Sequence, residues 1–220
     1  MLFADDSPSD HWAVIVAGSK DYWNYRHQAD ACHAYHILKK NGISDDKIIL
    51  FSYDDVAHDR DNPFRGKLFN KPDGMDLNEG CKIDYRRGDV TPEKFVKAIT
   101  ADEALASAGG KVLRSTKESK VFMYLTKHGA TGLLAFPNQE YLYANELVDA
   151  LKVMHDKGMY GEMVIYIESS EASSIFEGLL PANIKILGLA AAEYRENAFA
   201  TYCYPDDMVN GRHMGTCLGN

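Results

Sequence analysis

Near the start of the chain, two unbroken apolar runs, His11–Ser19 (HWAVIVAGS) and Lys47–Tyr53 (KIILFSY), are separated by a helical period. From about Tyr25 to Lys40, Ala29, Cys32, His36 and Leu38 recur at rough helical spacing, and Asn41-Gly42 supplies the C-terminal stop. An apolar run without polar alternation is a strand buried on both faces, which is the habit of parallel sheets. Strand, helix and strand at this connection length imply parallel pairing through a right-handed crossover.

The alternation continues. Val121–Thr126, Met163–Glu168 and Ile184–Ala192 read as further strands, and Ala144–Lys157 as an amphipathic helix with Leu147, Leu151 and Met154 inward. Thr91-Pro92-Glu93 opens another helix, with Thr91 as N-cap and Pro92 at the first helical position. A short helix is expected near Ser174–Leu179. The expected class is α/β, a mostly parallel central sheet with helices on both faces. Residues 54–89 differ: Pro63, Gly66, Pro72, Gly74, Gly80 and Gly88 break every period, as in a functional or disordered loop. At 220 residues the chain can bury one substantial core, so one domain is expected.

A net charge of −8, with no Lys/Arg run longer than two, excludes a general nucleic-acid binder, which needs a basic face. Apolar runs such as VIVAG and VIYI fall far short of the roughly 20 residues that cross a bilayer, so no membrane partner is expected. The opening MLFADDSPSD lacks the charged and apolar regions of a signal peptide. Cysteines at 32, 81, 203 and 217 are too scattered for a zinc ribbon. Cys203 and Cys217 are the expected disulfide, because the Pro and Asn-Gly between them gain from a staple; Cys32, inside a helix, is expected as a buried free thiol.

Functional groups in such sheets collect beyond the carboxyl ends of the strands. There the sequence places Gly18-Ser19 with Asn24, Arg26 and His27, then Asp54-Asp55, His128-Gly129, Glu168–Ser170 and Ala192–Glu196. A His at one strand end and a hydroxyl at the next is the layout of a general base with a nucleophile, here His128 and Ser170. Gly129 lets a backbone N–H approach a substrate carbonyl, although His-Gly after a strand is also a common turn. Arg26, His27 and Glu168 can build a pocket for an amide side chain; an Arg–Glu salt bridge tying the first helix to the sheet is the other reading. His33 and His36, with Asp30 nearby, lack further ligands in register, DDVAHDRDN lacks the Gly and terminal Glu of a calcium loop, and Gly18 alone is no dinucleotide fingerprint. No metal or cofactor is implied. Arg87-Gly88-Asp89 spells an adhesion tripeptide of a kind that arises often by chance.

Taken together, HWAVIVAGS, NYRHQADACHAY, YDD, NPFRGKLFN, GKVL, YLTKHGATGLLAFPN, MVIYIESSEASSIFEGLLP and TCLGN resemble the legumain or asparaginyl endopeptidase family, peptidase family C13 of clan CD, over His11–Asn220. The resemblance implies a caspase-like (caspase/hemoglobinase) fold and cleavage of peptides or proteins after Asn, with Asp accepted at acidic pH. It assigns His128 as catalytic base, Asn24 as its support and Gly129 as the oxyanion-hole glycine. Arg26, His27 and Glu168 match the pocket that reads the substrate side chain. Ser170 stands where the family carries its nucleophilic Cys. Lys127 replaces an Asp, Asn197-Ala198 a pair of pocket serines, and Asn220 the acid that closes the pocket. On this resemblance residues 1–10 are a flexible segment and 11–220 a peptidase domain stopping short of the family's C-terminal part. The implied compartment is lysosomal, vacuolar or secreted. With Ser170 as written, the expectation is an inactive homologue; the alternative is an asparaginyl endopeptidase whose nucleophile was mutated, active when Cys is restored.

Overall fold

The computed structural model describes residues 10–220; apart from Asp10, the expected flexible segment lies outside them. Strand β1 (His11–Ala17) leads through a 3-10 turn at Tyr22–Asn24 into α1 (Tyr25–Lys40), which stops at Gly42, whose φ of 92° suits a residue without Cβ. β2 (Ile48–Phe51) comes next. After the long excursion come α2 (Pro92–Ile99), α3 (Glu103–Ser107), β3 (Lys120–Thr126), β4 (Gly129–Ala130), β5 (Leu133–Phe136), β6 (Glu140–Tyr143), α4 (Ala144–Asp156), β7 (Glu162–Glu168), β8 (Ile186–Ala190), β9 (Met208–Val209) and β10 (Arg212–His213). Thr91 caps α2 by accepting a hydrogen bond from the Lys94 N–H, and Pro92 spends no donor at the first position.

The central sheet has five strands in the order β2-β1-β3-β7-β8, and every pairing is parallel. Against one face lie α2, α4 and the small antiparallel sheet β4-β5-β6, burying Val14, Val16, Met123, Leu125, Ile165 and Ile167 with Phe95, Leu147 and Leu151. Against the other lies α1, where Ala13, Ile15 and Ala17 meet Tyr25, Ala29 and Tyr35. The caspase-like architecture expected from the resemblance is the one observed.

Several local expectations change. Residues 129–143, outside the expected strands, form the antiparallel β4-β5-β6. The expected helix near Ser174 shrinks to a 3-10 turn at Ala172–Ile175, entered through Glu171 at φ 54°. Cys32 is not a free thiol: it is bonded to Cys81, while Cys203 is bonded to Cys217. The long excursion is tied down along its length. Asn62 donates to the carbonyls of Val56, Ala57 and Lys67, and the Phe69 N–H donates to the Tyr25 hydroxyl at 2.7 Å. Leu68, Phe69 and Leu77 then pack into the α1 core.

Because Cys32 and Cys81 are 49 residues apart, their bond removes much loop entropy from the unfolded chain. Replacing both with Ser is expected to cost about 4 kcal/mol on the loop-closure relation. Urea denaturation of the two proteins measures it.

Candidate active site

β1, β3 and β7 are each seven residues long and run in one register, so Ala17, Thr126 and Glu168 end on the same row. The chain leaves that row at neighbouring points. The Lys127 N–H donates to the Glu168 carbonyl at 3.0 Å, which holds the exits of β3 and β7 together. A Cβ on Gly129 would come within 2.7 Å of Ser169 Oγ and 2.8 Å of the Ser170 carbonyl oxygen. Only glycine fits where the two exits cross.

His128 stands exposed at this crossing, and its Nε2 meets Asn24 Oδ1 at 2.5 Å. The Asn24 amide nitrogen is committed to the Lys20 carbonyl at 2.8 Å, so Oδ1 must accept from His128. That assigns the proton to Nε2 and leaves the Nδ1 lone pair as the base. Partial desolvation within the site, then the Arg26 charge, lowers the His128 pKa from the ordinary imidazole value. Ser170 is half-buried on the β7 side, its Oγ accepting from the Ala198 N–H at 3.2 Å. No hydrogen bond joins His128 to Ser170 among the described residues.

Beside Ser170 opens a cavity of about 350 Å³, bounded by Arg26, His27, Glu168, Ala198, Phe199 and Asn220. Arg26 donates from Nε to Asn220 Oδ1 at 3.1 Å and from Nη1 to the Trp23 carbonyl at 3.1 Å. It makes no ion pair with Glu168 among the described residues, so the helix-to-sheet salt bridge is not formed. Asn220 in turn donates to Asp30, at 2.9 Å from Nδ2 and 3.3 Å from its backbone N–H. Burial raises Asp30 to about 6 against the opposing hydrogen bonds of Asn70, Asn220 and Thr126. Burial and then the Asp30 charge raise Glu168 to about 7, with Arg26 pulling the other way. His27 is buried beneath the His128 ring, whose centroid is 5.0 Å away, and its Nδ1 is 2.7 Å from Ser19 Oγ. Burial above all, then the Arg26 charge, drives its pKa well down.

Asp30 joins the site beyond the residues expected at the strand ends, and Ser19, placed there by position alone, gains a partner in His27. Asp30 is one helical turn beyond Arg26 on α1, so the i, i+4 spacing could have placed it under the pocket. Ser19 carried no signal beyond its position after β1. The Lys127 side chain, 1% exposed, runs inward rather than toward the site. Among the other candidates, His36 Nε2 is 2.9 Å from the Leu77 carbonyl oxygen, and no group of three or more His, Cys, Asp or Glu suited to a metal occurs among the described residues. Arg87 lies over the Tyr53 ring at 5.3 Å and Asp89 pairs with Lys94, so both charged ends of the tripeptide are engaged. A larger cavity, about 640 Å³, runs along the sheet face beside α1; it shares Glu168 and Asn220 with the site but contains neither His128 nor Ser170. No helix of the described residues is long and apolar enough to cross a membrane.

The model of the peptidase C13 family matches residues 11–220. The chain is 48% identical over 202 residues to the hemoglobinase of Schistosoma mansoni, covering 91% of this chain and 46% of that protein. It is 43% identical over 217 residues to the legumain of Canavalia ensiformis (98% and 46%), and 43% identical over 216 residues to the vacuolar-processing enzyme of Glycine max (98% and 44%). The chain thus spans less than half the length of these relatives.

The Asn24 contact governs His128, so Asn24→Asp, which sets a carboxylate against Nε2, is expected to raise the His128 pKa by about 1–3 units. An NMR titration of the imidazole reads it, from a starting midpoint below the ordinary value.

Proposed function

The chain belongs to the peptidase C13 family, and from that premise we propose that it is a legumain-like cysteine-endopeptidase homologue that holds peptides but does not hydrolyse them. One observation carries the reading: the residue at the β7 exit, beside a supported His128, is Ser170 rather than a thiol. A thiol with a pKa near 8.5 is drawn to the thiolate by a neighbouring imidazole, whereas a Ser hydroxyl must lose its proton during attack. Ser170 Oγ makes its hydrogen bond to the Ala198 N–H and none to His128. Losing the nucleophile of such a unit costs several orders of magnitude in rate.

On this reading Arg26, His27 and Glu168 form the recess for a substrate side chain, walled by Ala198 and Asn220, and Gly129 supplies the oxyanion N–H. The family's preference for Asn suits an Arg donor beside a Glu whose pKa lies near 7, since that Glu both accepts and, when protonated, donates. The ligands are peptides or proteins, the domain is 11–220, and no cofactor takes part. Two disulfides favour an oxidising compartment, in keeping with a vacuolar, lysosomal or secreted protein. The second reading, an asparaginyl endopeptidase disabled only at its nucleophile, is favoured by the intact His128–Asn24 pair.

The chain as written is expected to leave an Asn-containing fluorogenic peptide uncut at every point from about pH 4 to 7; cleavage would end the inactive reading. The same assay on Ser170→Cys separates the two readings: recovered cleavage supports the second, and silence assigns the loss to the pocket changes as well. Asn220→Asp adds a charged acceptor beside Arg26 but puts a carboxylate where Nδ2 now donates to Asp30, so it is expected to tighten binding of the peptide, by roughly 1.5–3 kcal/mol, only below about pH 6, where Asp30 is protonated. Calorimetry measures it, and equal affinities would leave Asn220 only as a bridge between Arg26 and Asp30.

A further inference from the structure

The Lys127 side chain turns away from the pocket into the core. Its stem passes over Gly18, where a Cβ would lie 2.1 Å from Lys127 Cε, and its Nζ ends 3.2 Å above the centre of the Phe136 ring. Nζ is buried and has no hydrogen-bond partner. No carboxylate lies within ion-pair distance among the described residues. The groups facing it are few. The end of β1 offers Gly18 and Ser19, β5 offers Ala135 and Phe136, and Phe95 of α2 backs the Phe136 ring, none of them charged. α1 contributes His27, whose imidazole feels the Lys127 charge, the β7 end contributes the Glu168 backbone carbonyl that accepts from the Lys127 N–H, and Arg26 and the Glu168 side chain line the adjoining pocket. His128 adjoins it in sequence.

We propose that Lys127 is a positioning residue that holds the His128 turn in place only while its amine is uncharged, so that acidification releases the turn. The backbone of Lys127 is the link between the β3 and β7 exits, and the next residue makes the Asn24 contact. A side chain that leaves the core therefore moves both. A neutral amine can sit on an aromatic face with its N–H directed at the ring. An ammonium there has lost its hydration, and the attraction of one ring does not replace it. Burial accordingly lowers the amine pKa well below the lysine value. The folded chain then binds one proton fewer than the unfolded chain, so the amine makes stability rise with pH. His27 and His128, both lowered, act in the same direction, and Asp30 and Glu168, both raised, act in the opposite one. A variant that changes only Lys127 cancels His128, Asp30 and Glu168, and cancels His27 wherever the amine is uncharged, since only a charged Lys127 lowers that imidazole.

The decisive comparison is chemical unfolding of the chain and of Lys127→Met, an uncharged side chain of similar length, from about pH 4 to about pH 9. The folding constant of the unaltered chain is expected to fall, relative to the variant, about tenfold for each pH unit of acidification wherever the amine is neutral when folded and charged when unfolded. Parallel curves would overturn the proposal. Should Lys127→Met fail to fold, NMR of lysine labelled at Cε reads the charge of Lys127 in the unaltered chain: a neutral-amine shift at neutral pH is expected, and a charged-amine shift throughout overturns it. Amide exchange at Lys127–Gly129 is expected to lose protection on acidification relative to β1; uniform protection would refute release of the turn. This role touches the peptide-site reading only in what the turn serves. None of these measurements uses a peptide, so an absence of peptide binding would count against that reading and leave the proposal standing.

Discussion

The common register of β1, β3 and β7 is the constraint on which the rest depends. Pairing in step from His11, Lys120 and Glu162 forces three strands to end together, at Ala17, Thr126 and Glu168. The residues after each strand are then delivered to one small region: Ser19 and the start of α1, His128 and Gly129, Ser169 and Ser170. The exits of β3 and β7 crowd so closely that only glycine fits at 129. A one-residue slip of β3 would turn Met123 and Leu125 out of the core and scatter these groups. The cost of that slip in buried apolar surface is what makes the site geometry fixed rather than adaptable.

Above this row burial shifts every titrating group of the pocket, and neighbouring charges and hydrogen bonds modify each shift. Glu168 is raised to about 7 and Asp30 to about 6, while His27 and His128 are both lowered from the ordinary imidazole value. Asn220 stands between Arg26 and Asp30, accepting from one and donating to the other. An amide does both at once, which a carboxylate cannot. The pocket thus sits on a peptidase C13 scaffold with a neutral amide, Asn220, between a cation and an acid.

The legibility of this chain tracks the range of the forces involved. The strands around Val14, Leu125 and Ile165 were readable because burial on both faces leaves an unbroken apolar run, and α2 because Thr91 and Pro92 mark its start in adjacent residues. β4-β5-β6 escaped because its strands are short and Pro137 interrupts the apolar run of β5, although Leu134, Phe136 and Leu142 do alternate inward. The Cys32 disulfide was misread because its partner comes from a loop that must first fold back over α1, and nothing in the local sequence records that path. The strand-end position brings out the groups from Asn24 to Ser170, while the role of each comes from the resemblance to the family.

By itself the sequence determined the class of fold and the identity of the groups at the strand ends, Ser170 among them, because each is written in residue type or in a short-range period. Tertiary structure alone decided how those groups are charged and oriented. Asp30 under the pocket, the proton on Nε2 of His128 and the inward turn of Lys127 all depend on what lies opposite across the fold. Desolvation and hydrogen bonding act through space, and neither has a period along the chain.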